Sequence, residues 1–244
     1  MRNIKLIIEY DGTNYSGWQR QLNAPSIQQA IEEAVLRITG EGVPVIGAGR
    51  TDSGVHARGQ VANFFTSSSI PPERFSYALN SVLPKDIRIL HSEEVPPDFH
   101  ARYSAKGKRY RYSMVLRPHG LAIGSQYYYH VREPLRTEPM EKAAKILIGT
   151  HDFRAFQAKG SSAKTTVRTV YRSDLIWEEP YLYYDIQGNG FLYNMVRIIV
   201  GTLIEIGKGK FPWERMEELL KTGDRNLAGP TAPPHGLSLE EVYY

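Results

Sequence analysis

Residues 191–206, FLYNMVRIIVGTLIEI, are apolar on almost every side. A helix with no polar face must be covered all round, so this segment demands a layered core. Its sixteen residues are too few to span a bilayer. Arg197 stands in the middle of it. A guanidinium buried there needs a carboxylate or several neutral acceptors. Three readings are open: it snorkels to the surface, it pairs with Glu205 or Asp185, or it salt-bridges the carboxylate of an active site.

The cover for such a helix is read from the rest of the chain. IKLIIEY places Ile4, Leu6, Ile8 and Tyr10 on one face of a strand. Ser26 and Gln29 have capping-box spacing, and Ile27, Ala30, Ile31, Ala34, Val35 and Ile38 follow at helical period. Strands are expected over 43–48, 60–66 and 87–95, with a helix carrying Phe75, Ala78, Leu79 and Val82. The second half repeats the style. It has strands over 108–116, 167–177 and 181–187, and helices over 140–148, 191–206 and 213–222. A closing strand is expected over 237–244. The expected fold is α+β. Two similar domains, 1–104 and 105–244, each carry a mixed or antiparallel sheet with helices on one face and flank a central basic cleft.

The chain has no Cys, which excludes disulfides, Cys-ligated metals and a thiol nucleophile. Its seven His show no H-x-H or H-x-x-x-H pair, so no metal is expected. Nothing in it reads as a leader or a membrane span; the expectation is a soluble, unprocessed, cytoplasmic protein. The net charge is +4 over the whole chain, and the excess lies in the second half. The stretch 99–132 has seven Lys or Arg and no acid, and 153–173 is also acid-free. Charge runs are usually solvated faces. Two of them, with aromatic residues interleaved, point to a phosphate backbone as partner.

Chemistry concentrates in GRTDSGVHARG, residues 49–59. The glycines fail the dinucleotide fingerprint, and no Gly-Lys-Ser/Thr follows, so a nucleotide cofactor is not expected. The bland reading is a strand connection whose Gly47, Gly49 and Gly54 supply positive φ. Against it stand Arg50, Thr51, Asp52, Ser53, His56 and Arg58 within nine positions. An Asp flanked by Arg can be held ionised, and is then a nucleophile or base at neutral pH. Asp11 competes as a carboxylate, though an Asx-turn suits it better. In RYRY, a strand would put Tyr110 and Tyr112 on one face and Arg109 and Arg111 on the other.

Taken together, YDGTNYSGWQRQ (10–21), GRTDSGVHARGQVANF (49–64), FHARYSAKGKRYRY (99–112), GTHDFRAF (149–156), GFLYNMVRIIVGTL (190–203) and APPHGLSLEEVYY (232–244) resemble the TruA family of tRNA pseudouridine synthases. The resemblance implies isomerisation of uridine to pseudouridine at positions 38, 39 and 40 of the tRNA anticodon stem-loop. It implies a homodimer and no cofactor. It places the nucleophile at Asp52, the active-site tyrosine at Tyr110, and cleft arginines at Arg50 and Arg197. Segments touching tRNA would be Phe99, His100, Ala101, Arg102 and Tyr103, and Ala158, Lys159, Gly160, Ser161 and Ser162. Three routes suit such a carboxylate: attack at C1′, attack on the uracil ring, or elimination at C2′. The rival reading is a non-catalytic tRNA-binding or remodelling protein on the same scaffold.

Overall fold

The computed structural model describes residues 1–160 and 163–244, and divides the chain into two compact units. The first comprises Met1–Lys106 with Ser238–Tyr244, the second Gly107–Leu237.

The first unit is built on β1 (Arg2–Tyr10), whose alternation buries Ile4, Leu6, Ile8 and Tyr10. It runs antiparallel between β3 (His56–Thr66) and β4 (Ile87–Val95). A two-residue strand β2 (Ile46–Gly47) also pairs with β3. Helix α1 (Ile27–Thr39) starts where expected, because the Ser26 hydroxyl accepts from the Gln29 backbone N–H at 3.3 Å. Gly40, at φ 75°, stops it. Helix α2 spans only Phe75–Asn80; its Phe75 ring meets Phe64 of β3 edge-on at 5.5 Å. Val82 lies beyond it, in a turn closed by the Val82 N–H on the Leu79 carbonyl.

The closing strand, β10 (Leu237–Tyr243), has Ser238 and Leu239 paired in parallel with His56 and Ala57 of β3. Ser238–Tyr244 belong to the first unit, whereas the sequence boundary assigned them to the second.

In the second unit, β5 (Gly107–Leu116), β9 (Tyr181–Gly188), β8 (Val167–Glu178) and β7 (Gly149–Asp152) form an antiparallel sheet in that order, with short β6 (Tyr129–Val131) parallel to β5. Tyr112, Leu182, Tyr184 and Ile186 are buried on one face. The apolar helix is α4, Met195–Gly207, four residues shorter at its start than the hydropathy suggests. Asn194 takes φ 60°, a left-handed conformation that a helix cannot include. Helix α3 is Thr137–Ile146 and α5 is Arg215–Thr222, the latter ended by Gly223 at φ 67°. With both units α+β and β10 parallel, the fold class is α+β, as expected. No helix among the described residues is long and apolar enough to cross a membrane.

Candidate active site

The Asp52 loop is shorter than the polar stretch suggests, because β3 already begins at His56. It is stitched by backbone to the loop that follows β1. The Trp18 N–H donates to the Thr51 carbonyl at 3.1 Å, and the Gly54 N–H to the Tyr15 carbonyl at 3.2 Å. A tight turn closes Val55 N–H on the Asp52 carbonyl at 3.1 Å. Tyr10 and Thr51 join their hydroxyls at 2.7 Å beneath it, and burial pushes the Tyr10 phenol upward.

Glycines outside the loop make this approach possible. A Cβ on Gly12 would lie 2.1 Å from the Val55 carbonyl oxygen, and one on Gly17 would lie 2.4 Å from the Thr51 oxygen. Within the loop only Gly54 has positive φ, so the expectation for Gly47 and Gly49 does not hold. Gly47 serves another purpose: the Trp18 ring occupies the space of its missing side chain. These roles of Gly12, Gly17 and Trp18 were not read from sequence. Two loops rich in turn formers were the available signal.

Asp52 is half-buried, Thr51 and His56 are buried, and Arg50 is exposed without an ion-pair partner among the described residues. Arg58 turns toward Glu240 at 3.9 Å. Asp11 is engaged in the expected Asx-turn, accepting from the Thr13 N–H at 2.9 Å and its hydroxyl at 2.5 Å. His56 Nδ1 accepts the Gly12 N–H at 3.0 Å, so this buried histidine is a hydrogen-bonded structural residue.

In the second unit, Tyr110 lies opposite Ile186 in the β5–β9 ladder, with Phe191 edge-on at 5.2 Å. It is 8% exposed. Tyr112, on the same face, is fully buried and donates to the Pro233 carbonyl at 2.8 Å. Burial raises its phenol, with the Arg197 charge pulling the other way. Arg111 faces oppositely and grips Asp185 bidentately, at 2.7 and 2.9 Å.

Arg197 is half-buried, in the first turn of α4. Its Nε donates to the Ala232 carbonyl at 2.8 Å and its Nη1 to Asn194 Oδ1 at 2.7 Å. The Ala232 N–H returns a bond to the Arg197 carbonyl at 3.0 Å. The carboxylates that could have held it structurally have their own cations: Asp185 has Arg111, and Glu205 has Lys208 and Lys210.

The residues expected to touch RNA divide by role. Ala101 is buried, its N–H on Asn63 Oδ1 and its carbonyl accepting from Tyr244. Phe99 packs on Tyr244 at 5.0 Å, with Lys5 5.8 Å from its ring centroid. Both are engaged within the first unit. Arg102 and Tyr103 are exposed, with His100 against Tyr103 at 4.3 Å. Ala158 is anchored by its N–H on the Tyr193 carbonyl at 3.1 Å, while Lys159 and Gly160 are exposed. Ser161 and Ser162 lie outside the described residues. Among those described, no cluster of three His, Asp or Glu could hold a metal ion.

A family model described as tRNA pseudouridine synthase matches residues 6–104 and 143–244. It leaves out 105–142, and with them β5 and Tyr110. Curated relatives match end to end. The chain is 56% identical to the tRNA pseudouridine synthase A of Acetivibrio thermocellus over 244 residues, the whole of both chains. It is 54% identical to the protein of that name from Clostridium botulinum strain Eklund 17B and 51% identical to that of Clostridium kluyveri, again over the whole of each chain. By these matches, the chain belongs to the tRNA pseudouridine synthase family.

Proposed function

We propose that this protein isomerises uridine to pseudouridine at positions 38, 39 and 40 of the tRNA anticodon stem-loop, with Asp52 as its nucleophile. The observation that carries the reading is the Asp52 loop itself. Its backbone is pinned on both sides of the carboxylate, through Thr51 and Gly54, and the glycines opposite have no room for a side chain. Placing one carboxylate that firmly is what positioned covalent chemistry requires.

The reaction breaks the N1–C1′ bond, turns the base and forms C5–C1′. C5 loses a proton and N1 gains one, so no electrons and no net water are exchanged. Asp52 attacks carbon or takes a proton next to it, and is released at the end. Tyr110 stacks on the base and relays a proton through its hydroxyl. Arg197 supplies the cation that keeps the Asp52 carboxylate ionised, and Arg50 braces the space left by the flipped nucleotide. Flipping costs about a few kcal/mol. Arg102, Tyr103, Lys159 and Gly160 contact the RNA backbone. The enzyme works in the cytoplasm as a homodimer.

The test is incubation of the pure protein with an unmodified tRNA transcript and no additives, followed by mapping of pseudouridine. Product confined to the anticodon arm is expected. Its absence would overturn the reading in favour of a non-catalytic tRNA-binding protein. Arg197→Ala is expected to lower activity and melting temperature together, because one side chain serves both the reaction and the tie to Ala232. Loss of neither would return Arg197 to a surface role.

A further inference from the structure

One cavity in the second unit belongs to none of the residues placed in catalysis. It measures about 670 Å³ and is lined on one side by Gln157–Lys159 and on the other by Arg225, Asn226 and residues 228–231. Arg225 is half-buried there. Its Nη1 donates to the Gly229 carbonyl at 3.1 Å and its Nη2 to the Thr231 hydroxyl at 3.3 Å. Both acceptors are neutral. No carboxylate among the described residues is within ion-pair distance of it. The adjacent Asp224 is exposed, and its Oδ1 accepts from the Asn226 N–H at 2.9 Å. Burial disfavours the charged form of Arg225. Of five guanidinium N–H groups, two are engaged by protein, leaving donors for a ligand.

One wall is tied to α4. The Gly229 N–H is bonded to the buried Thr202 hydroxyl at 3.0 Å, and a Cβ on Gly201 of α4 would lie 1.7 Å from the Pro230 carbonyl oxygen. A half-buried, oriented guanidinium without an internal anion among the described residues, facing the exposed Lys159 across a cavity of this size, fits an oxyanion. We infer that Arg225 and Lys159 form a subsite for one phosphodiester of the RNA, with Thr231 and Gly229 aiming the guanidinium. The inference rests on the proposed function, which supplies the polyanionic substrate. Residue 232 follows directly and is tied to Arg197, so a phosphate held here is registered against that arginine through a few residues of fixed backbone.

The test is a salt series of tRNA binding by the full chain, with turnover alongside. Arg225→Gln should weaken binding about tenfold. It should also lower the slope of log affinity against log salt by about one, with kcat at saturating tRNA unchanged. In a transcript series carrying single neutral methylphosphonates, one linkage should weaken binding to the parent and not to Arg225→Gln. Parent-like affinity and slope in Arg225→Gln would overturn the subsite. If that variant does not fold, Thr231→Val should still weaken binding measurably at unchanged melting temperature, and parent-like affinity there would overturn it. A parent protein that makes no pseudouridine would strike the proposed function; an active parent with an unchanged Arg225→Gln slope would strike this inference alone.

Discussion

Arg111 and Arg225 belong to the same unit and meet opposite electrostatic surroundings. On the sheet, Arg111 faces Asp185 across the β5–β9 ladder, and Asp185 is only 2% exposed. Arg109 approaches the same carboxylate at 3.7 Å. In the loop after α5, Arg225 has a carbonyl and a hydroxyl. The sheet meets its cations with an internal carboxylate, and their charge serves stability. The loop fixes a cation without neutralising it, which leaves the charge for something outside the chain. The two surfaces therefore respond differently to mutation: one in folding, the other in binding.

The largest expected effect is on the sheet. Asp185→Ala strands two guanidinium groups and should cost about 3 kcal/mol in urea unfolding, the low end for a broken buried pair because Arg111 is one-third exposed. Arg225→Gln should cost less than about 1 kcal/mol on the same measurement. Equal costs would dissolve the comparison. Next comes Gly201→Ala. An alanine inside a helix normally gains about 1 kcal/mol over glycine. Here the new methyl meets the Pro230 carbonyl, so a loss of about 1–3 kcal/mol is expected, with weaker tRNA binding as the loop shifts. A stabilised variant would show the loop to be compliant.

Alkaline titration sharpens the contrast from another side. Tyr112 holds the far end of the loop through Pro233, and burial raises its phenol above the ordinary 10.0. A raised folded-state pKa means that its contribution is complete below pH 10 and declines as pH rises beyond it. The decline is about 1.4 kcal/mol per pH unit for one fully buried phenol. Tyr10 and Tyr184 are raised by burial in the same direction. Tyr112→Phe should flatten part of the fall in melting temperature above pH 10, and an unchanged slope would remove Tyr112 from it. The smallest effect is at the rim, where Lys145 and Arg172 both reach Asp174. Lys145→Ala should change stability by no more than about 0.5 kcal/mol, measured by thermal melting.

Much of this was legible in the chain. The alternation of RYRY put Tyr110 and Tyr112 on one face, and the ladder bears that out. Ser26 and Gln29 marked the start of α1 through a bond that forms within four residues. What depends on distant backbone was not legible. The start of α4 was misplaced because hydropathy does not register Asn194 at φ 60°. The pairing of β10 with β3 was missed because it joins residues far apart in the chain. The Arg225 cavity left no mark beyond a Gly- and Pro-rich stretch, since its character comes from a half-buried guanidinium with no carboxylate near it among the described residues.

At the centre is the Asp52 carboxylate, and an isosteric change tests it most directly. Asp52→Asn keeps the turn and the backbone bonds through Thr51 and Gly54 while removing the charge. Bound and free tRNA and pseudouridine formed should be measured on one preparation. Binding within a few-fold of the parent with no detectable product is the expected result. Pseudouridine accumulating at the parent's rate in that variant would show that the reaction runs without this carboxylate.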